Sequence, residues 1–82
     1  GIIYLKMNNQ RRKELDKIIK VLEETRNKIE SVMDEEQDCF DNLPEGFQQA
    51  TRGQQMEEAI GSLSAAIDSI DEAIGAIEEA QM

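Results

Sequence analysis

Residues 57–82 read EEAIGSL, SAAIDSI, DEAIGAI, EEAQM, a repeat of seven that decides the fold. Ile60, Ile67 and Ile74 recur every seven residues, and Leu63, Ile70 and Ile77 follow each of them by three. Ala59, Ala66, Ala73 and Ala80 come just before each isoleucine or its equivalent. Apolar residues at alternating steps of three and four form one stripe of an α-helix, and a stripe this long needs another helix packed beside it.

That second helix is expected upstream, from about Asn8 to Asp41. Its apolar ladder is Leu15, Ile18, Ile19, Leu22, Ile29, Val32, Met33 and Phe40, interrupted by Thr25, Arg26 and Glu36. Polar residues in such a seam weaken it locally and can set register. Neither Gly nor Pro falls between Ile3 and Leu43, and strong helix formers dominate.

The break between the helices is Asn42-Leu43-Pro44-Glu45-Gly46. Proline disfavours helix at the residue before it and donates no backbone hydrogen bond. Phe40, Leu43 and Phe47 cluster here and are expected to plug the closed end of the helix pair. A docking knob is the alternative. The downstream helix is expected over 51–81, opened by a capping box of Thr51 and Gln54. Gly61 and Gly75 mark either a close backbone approach or an exposed face.

A connection of about nine residues (42–50) forces the helices antiparallel. That arrangement sets Arg11, Arg12, Lys13 and Lys17 near Asp71, Glu72, Glu78 and Glu79. The expected fold is therefore all-α: one antiparallel two-helix hairpin over 8–82, behind a flexible extension at 1–7. The apolar fraction of 39% is below the 45–50% or so usual for globular domains. Chains of 82 residues bury little surface alone, so dimerisation into a four-helix bundle is expected. The expected interface residues are Ile60, Leu63, Ile67, Ile70, Ile74 and Ile77, with Leu15, Leu22 and Ile29 on the partner helix.

Charge narrows the function classes. The net charge is −9. It divides into +3 over residues 1–33 and −12 over residues 34–82. Nucleic-acid phosphates repel such a chain, and Arg11-Arg12-Lys13 is too small a cluster to reverse that. GIIYL at the start is far too short to span a bilayer. With one cysteine there is no internal disulfide, and an intracellular location is the default.

The run Asp34–Glu45 (DEEQDCFDNLPE), followed by Arg52-Gly53, Met56-Glu57-Glu58-Ala59-Ile60 and the closing AIDSIDEAIGAIEEA, resembles a group of small acidic helical-hairpin proteins. These are coiled-coil proteins encoded in bacteriophages and prophages, mainly of Gram-positive bacteria. The turn FDNLPE is the most specific part. The resemblance implies a source, a size class and the bacterial host cytoplasm, and it brings no activity with it.

Catalysis is not expected. The chain has no histidine, which removes the usual Ser/His and Cys/His nucleophiles. Cys39, between acidic neighbours near a helix end, reads as a buried structural thiol. No phosphate-cradling glycine loop is present. The carboxylates Glu35, Glu36, Asp38, Asp68, Asp71 and Glu72 lack calcium-loop spacing and read as a solvated face. No catalytic residue, metal, cofactor, small-molecule substrate, nucleic acid or membrane is therefore assigned. The expected role is a self-associating interaction or structural module. The alternative is a small acidic inhibitor, or decoy of nucleic acid, that binds a basic host protein.

Overall fold

The computed structural model describes residues 7–82 of the chain, and the extension expected at 1–7 lies almost wholly outside them. The described part is helical, with three elements in the order α1 (Asn9–Asp41), α2 (Glu45–Gln48) and α3 (Thr51–Ala80). The long helices α1 and α3 pack against each other in an extended hairpin.

Helix α1 begins where the sequence supplies a cap. Asn8 keeps an extended backbone, and its side-chain oxygen accepts from the Arg11 amide at 2.8 Å. This satisfies one of the amides that a helix start leaves without a partner. The helix then runs unbroken to Asp41 because nothing within it breaks the hydrogen-bond ladder. It ends just ahead of Pro44.

The seam follows a strict alternation of three and four. On α1 the seam positions are Arg12, Leu15, Ile19, Leu22, Arg26, Ile29, Met33, Glu36 and Phe40, all less exposed than their neighbours on the outer face. On α3 and its C-cap the seam positions are Gly53, Met56, Ile60, Leu63, Ile67, Ile70, Ile74, Ile77 and Gln81, with Ala59, Ala66 and Gly75 half-buried beside them. Ile18 and Val32, expected in the ladder, are 47% and 55% exposed. Each sits one position before the seam, because a helix of 3.6 residues per turn gives one seam place to each adjacent pair, and Ile19 and Met33 take it.

Register follows from one cross-helix contact. Arg26 Nε donates to Asp71 Oδ1 at 2.8 Å. Alternation outward from that point sets Ile29 level with Ile67, Met33 with Leu63, Leu22 with Ile74, and Ile19 with Ile77. Leu15 then stands level with Gln81, and the basic start of α1 runs past the end of α3. Arg11, Arg12, Lys13 and Lys17 accordingly make no ion pair with α3 among the described residues, contrary to the expected pairing.

The connection differs from a plain turn because it contains the one-turn helix α2. Phe47 points to solvent at 61% exposure, so it does not join Phe40 and Leu43 in the plug. Gln48 takes the inner place instead. Its side-chain amide donates to the carbonyls of Phe40 at 3.2 Å and Leu43 at 3.4 Å, tying α2 to the end of α1. The capping box at Thr51 does not form either. Helix α3 starts one residue earlier than that motif requires, with Ala50 as its N-cap and no side-chain cap bond.

Gly53 accounts for the tight junction between α2 and α3. It is buried, and a Cβ there would lie 2.6 Å from the Gln48 carbonyl carbon and 2.8 Å from its Cα. Only glycine lets the two backbones come this close. Gly61 and Gly75 are the opposite case, since a Cβ at either meets nothing within 4 Å. Neither marks a close backbone approach: Gly61 is exposed and Gly75 half-buried, each with open space beside it.

Candidate interaction surfaces

A seam of two helices leaves two broad sides, and the residues flanking the seam populate them differently. Ile18, Thr25, Val32 and Cys39 each precede a seam residue of α1, while Ala59, Ala66, Ala73 and Ala80 precede the equivalent places on α3. In antiparallel helices these two columns flank the seam on the same side. Asp16, Glu23 and Glu30 on α1, with Glu57, Asp71 and Glu78 on α3, each follow a seam residue and flank the other side.

The acidic side is confirmed by its contacts. Arg26, half-buried in the seam, turns toward it and meets Asp71 at 2.8 Å and Glu30 at 3.0 Å. The hydrogen bond that Arg26 donates to Asp71 holds its pKa above the ordinary value, helped by the charge of Asp71 and by the hydrogen bond to Glu30 and its charge, and opposed by desolvation. Nearer the open end, Asp16, Glu23 and Glu78 line an open groove with Ile19, Lys20 and Gln81. Consecutive flank residues on one helix stand about 10 Å apart.

The opposite side is nearly free of charge. Val21 is 60% exposed there, one turn from Ile18. The Thr25 hydroxyl donates to the Val21 carbonyl at 2.8 Å, which satisfies it within α1. Ala59 and Ala66 are half-buried and Ala73 and Ala80 exposed, so α3 contributes a low, flat strip. Cys39 completes the α1 column and is exposed, not the buried thiol that the sequence suggested.

The expected interface residues are all found along the α1–α3 seam. Among them Ile67 is buried, and Leu15, Leu22, Ile29, Ile60, Leu63, Ile70, Ile74 and Ile77 are half-buried. Their first partners are each other, within one chain. The neutral flank, carried by Ile18, Val21 and Val32, was hidden in the sequence because Ile18 and Val32 adjoin seam residues and read as part of one wide stripe. The signal that could have found it is the heptad spacing of Ile18, Thr25, Val32 and Cys39 in their own right.

The carboxylates considered for a metal do not converge. Among the described residues no group of three or more Cys, Asp or Glu side chains could hold a metal ion. Glu35, Asp38, Asp68, Asp71 and Glu72 are exposed, and Glu36 is half-buried in the seam. No helix among the described residues is long and apolar enough to cross a membrane. The chain matches no protein-family model, and no curated protein or solved structure is similar to it.

Proposed function

We propose that this chain is a non-enzymatic helical hairpin that self-associates and acts as an interaction or structural module. The observation that supports this is the thinness of its own core. Met56 and Ile67 are the only buried apolar residues among those described, while the rest of the seam stays half open. A hairpin so lightly covered gains most by burying its seam edges against further helices, and a four-helix bundle from two hairpins is the simplest way to do so. The resemblance to small phage- and prophage-encoded hairpins fits a protein of this kind in the cytoplasm of a bacterial host. Absolute mass by light scattering across a concentration series tests the reading. A dimer is expected, and a monomer throughout the micromolar range overturns it.

A second reading is favoured by the acidic flank. Asp16, Glu23, Glu30, Glu57, Asp71 and Glu78 present carboxylates along one side of a rigid rod, suited to a basic host protein that otherwise grips phosphates. Capture of a basic host protein that weakens steeply with salt is the expected result. Binding indifferent to salt counts against it. The two readings are compatible, since the acidic flank is one of two broad sides.

A further inference from the structure

We infer that the neutral flank, centred on Ile18, Val21 and Val32 of α1 and Ala66 and Ala73 of α3, is the surface on which a second copy of this chain docks. The inference deepens the self-association reading and rests on it. It adds which side is used and why the others are not.

Charge selects the side. Two copies each carrying −9 repel, and the repulsion is strongest between acidic flanks. On α1 between Ile18 and Cys39, the neutral flank and the column outside it contain only Lys28 and Glu35 as charged residues, of opposite sign. The matching positions of α3 from Gln55 to Ala80 contain none. A basic partner would find only Glu35 to hold here, beside Lys28, whereas an identical flank meets a surface with no net charge.

Area is sufficient. The hairpin is 16 by 12 Å in section, so one broad side takes roughly a quarter of its 6454 Å² surface. That is on the order of 1,600 Å² for the whole side; the neutral stretch from Ile18 to Cys39 runs about 32 Å of the 68 Å length, so it offers about the 800 Å² per partner of a standard interface. Relief also fits. The β-branched residues of α1 stand proud beside the low alanine strip of α3, so two flanks related by a two-fold axis set ridge into trough. The same contact covers the open edges of the seam and recruits Ile60, Leu63 and Ile70 into a shared core.

The test compares the mass and helicity of the wild-type chain with those of Val32→Glu, Ala73→Arg and, on the acidic flank, Glu23→Gln. Val32, Ala73 and Glu23 are exposed within one hairpin, so their substitution leaves its seam intact. The wild type and Glu23→Gln are expected to be dimers, and Val32→Glu and Ala73→Arg to fall to monomer mass at the same concentration while keeping helical signal. Should Val32→Glu fail to fold, Ala73→Arg on the other helix decides. If both neutral-flank variants remain dimers, the flank is wrong and self-association stands. A monomeric wild type overturns both.

Discussion

Arg26 Nε donates to Asp71 Oδ1 at 2.8 Å across 45 residues of sequence, and among the described residues this is the only ion pair joining α1 to α3. An arginine among the isoleucines and leucines at the middle of the seam is a weak source of stability and a good source of register, because a slip of one helix takes the guanidinium away from Asp71. Asp71→Ala is therefore expected to lower the melting temperature slightly, with the difference shrinking in high salt. The pH dependence has a definite sign. The folded pKa of Arg26 is raised, so its contribution is complete below the unfolded value and disappears only as pH climbs through the raised one, in strong alkali. Melting curves between pH 6 and 10 are expected to show no titration from Arg26. A midpoint in that window lost in Arg26→Gln would contradict the assignment.

The glycines divide into two classes that stability measurements separate. Gly53→Ala forces a Cβ into the Gln48 backbone and is expected to cost about 1–3 kcal/mol. Gly61→Ala and Gly75→Ala add a Cβ in open helical positions and are expected to stabilise by about 0.5–1 kcal/mol each. Urea midpoints for the three variants check this, and a stabilising Gly53→Ala would show the α2–α3 junction to be looser than described.

Ile67 is 6% exposed at the middle of the seam, level with Ile29. Ile67→Ala is expected to cost about 2–4 kcal/mol. Ile67→Asp places a charge without a partner between the helices and is expected to abolish both helical signal and assembly. Circular dichroism beside light scattering distinguishes it from the neutral-flank variants, which lose mass but keep helix. A fully helical dimer of Ile67→Asp would be incompatible with this seam.

At the closed end, the glutamine matters more than the aromatic next to it. Phe47→Ser removes an exposed ring and is expected to change stability by no more than about 0.5 kcal/mol. Gln48→Ala removes the side-chain donor that the Phe40 and Leu43 carbonyls share and is expected to cost about 1 kcal/mol. The reverse order in thermal melts would return Phe47 to the plug.

Cys39 offers a covalent readout of the docking side. It is exposed within one hairpin and shares the neutral flank. Alkylation is expected to slow as concentration rises and dimers form, and to lose that dependence in Val32→Glu. A rate independent of concentration in a dimeric wild type would place Cys39 outside the contact.

Much of the architecture could be read from the chain because helical packing is written locally. The heptads of 57–82, the Asn8 start and the Pro44 break each act through neighbours a few residues apart, and the helix bounds at Asp41 and Thr51 follow from them. Choices between adjacent apolar residues could not be read in this way. Ile18 beside Ile19, and Val32 beside Met33, are equivalent by hydrophobicity, and only the angle at which α3 crosses α1 decides which of each pair is inside. The closed end was obscure for a similar reason. Whether Phe47 or Gln48 faces inward depends on α2, a single turn too short to leave a periodic trace.

Composition and periodicity, then, determined by themselves that this chain is helical, acidic and too thin in its core to bury much alone, since these are sums over local preferences. The tertiary structure alone decided the register set by Arg26 and Asp71, the glycine contact at Gly53, and which flank of α3 lies beside which flank of α1. Each of these depends on where one helix surface meets another far away in sequence, and no local pattern encodes that meeting.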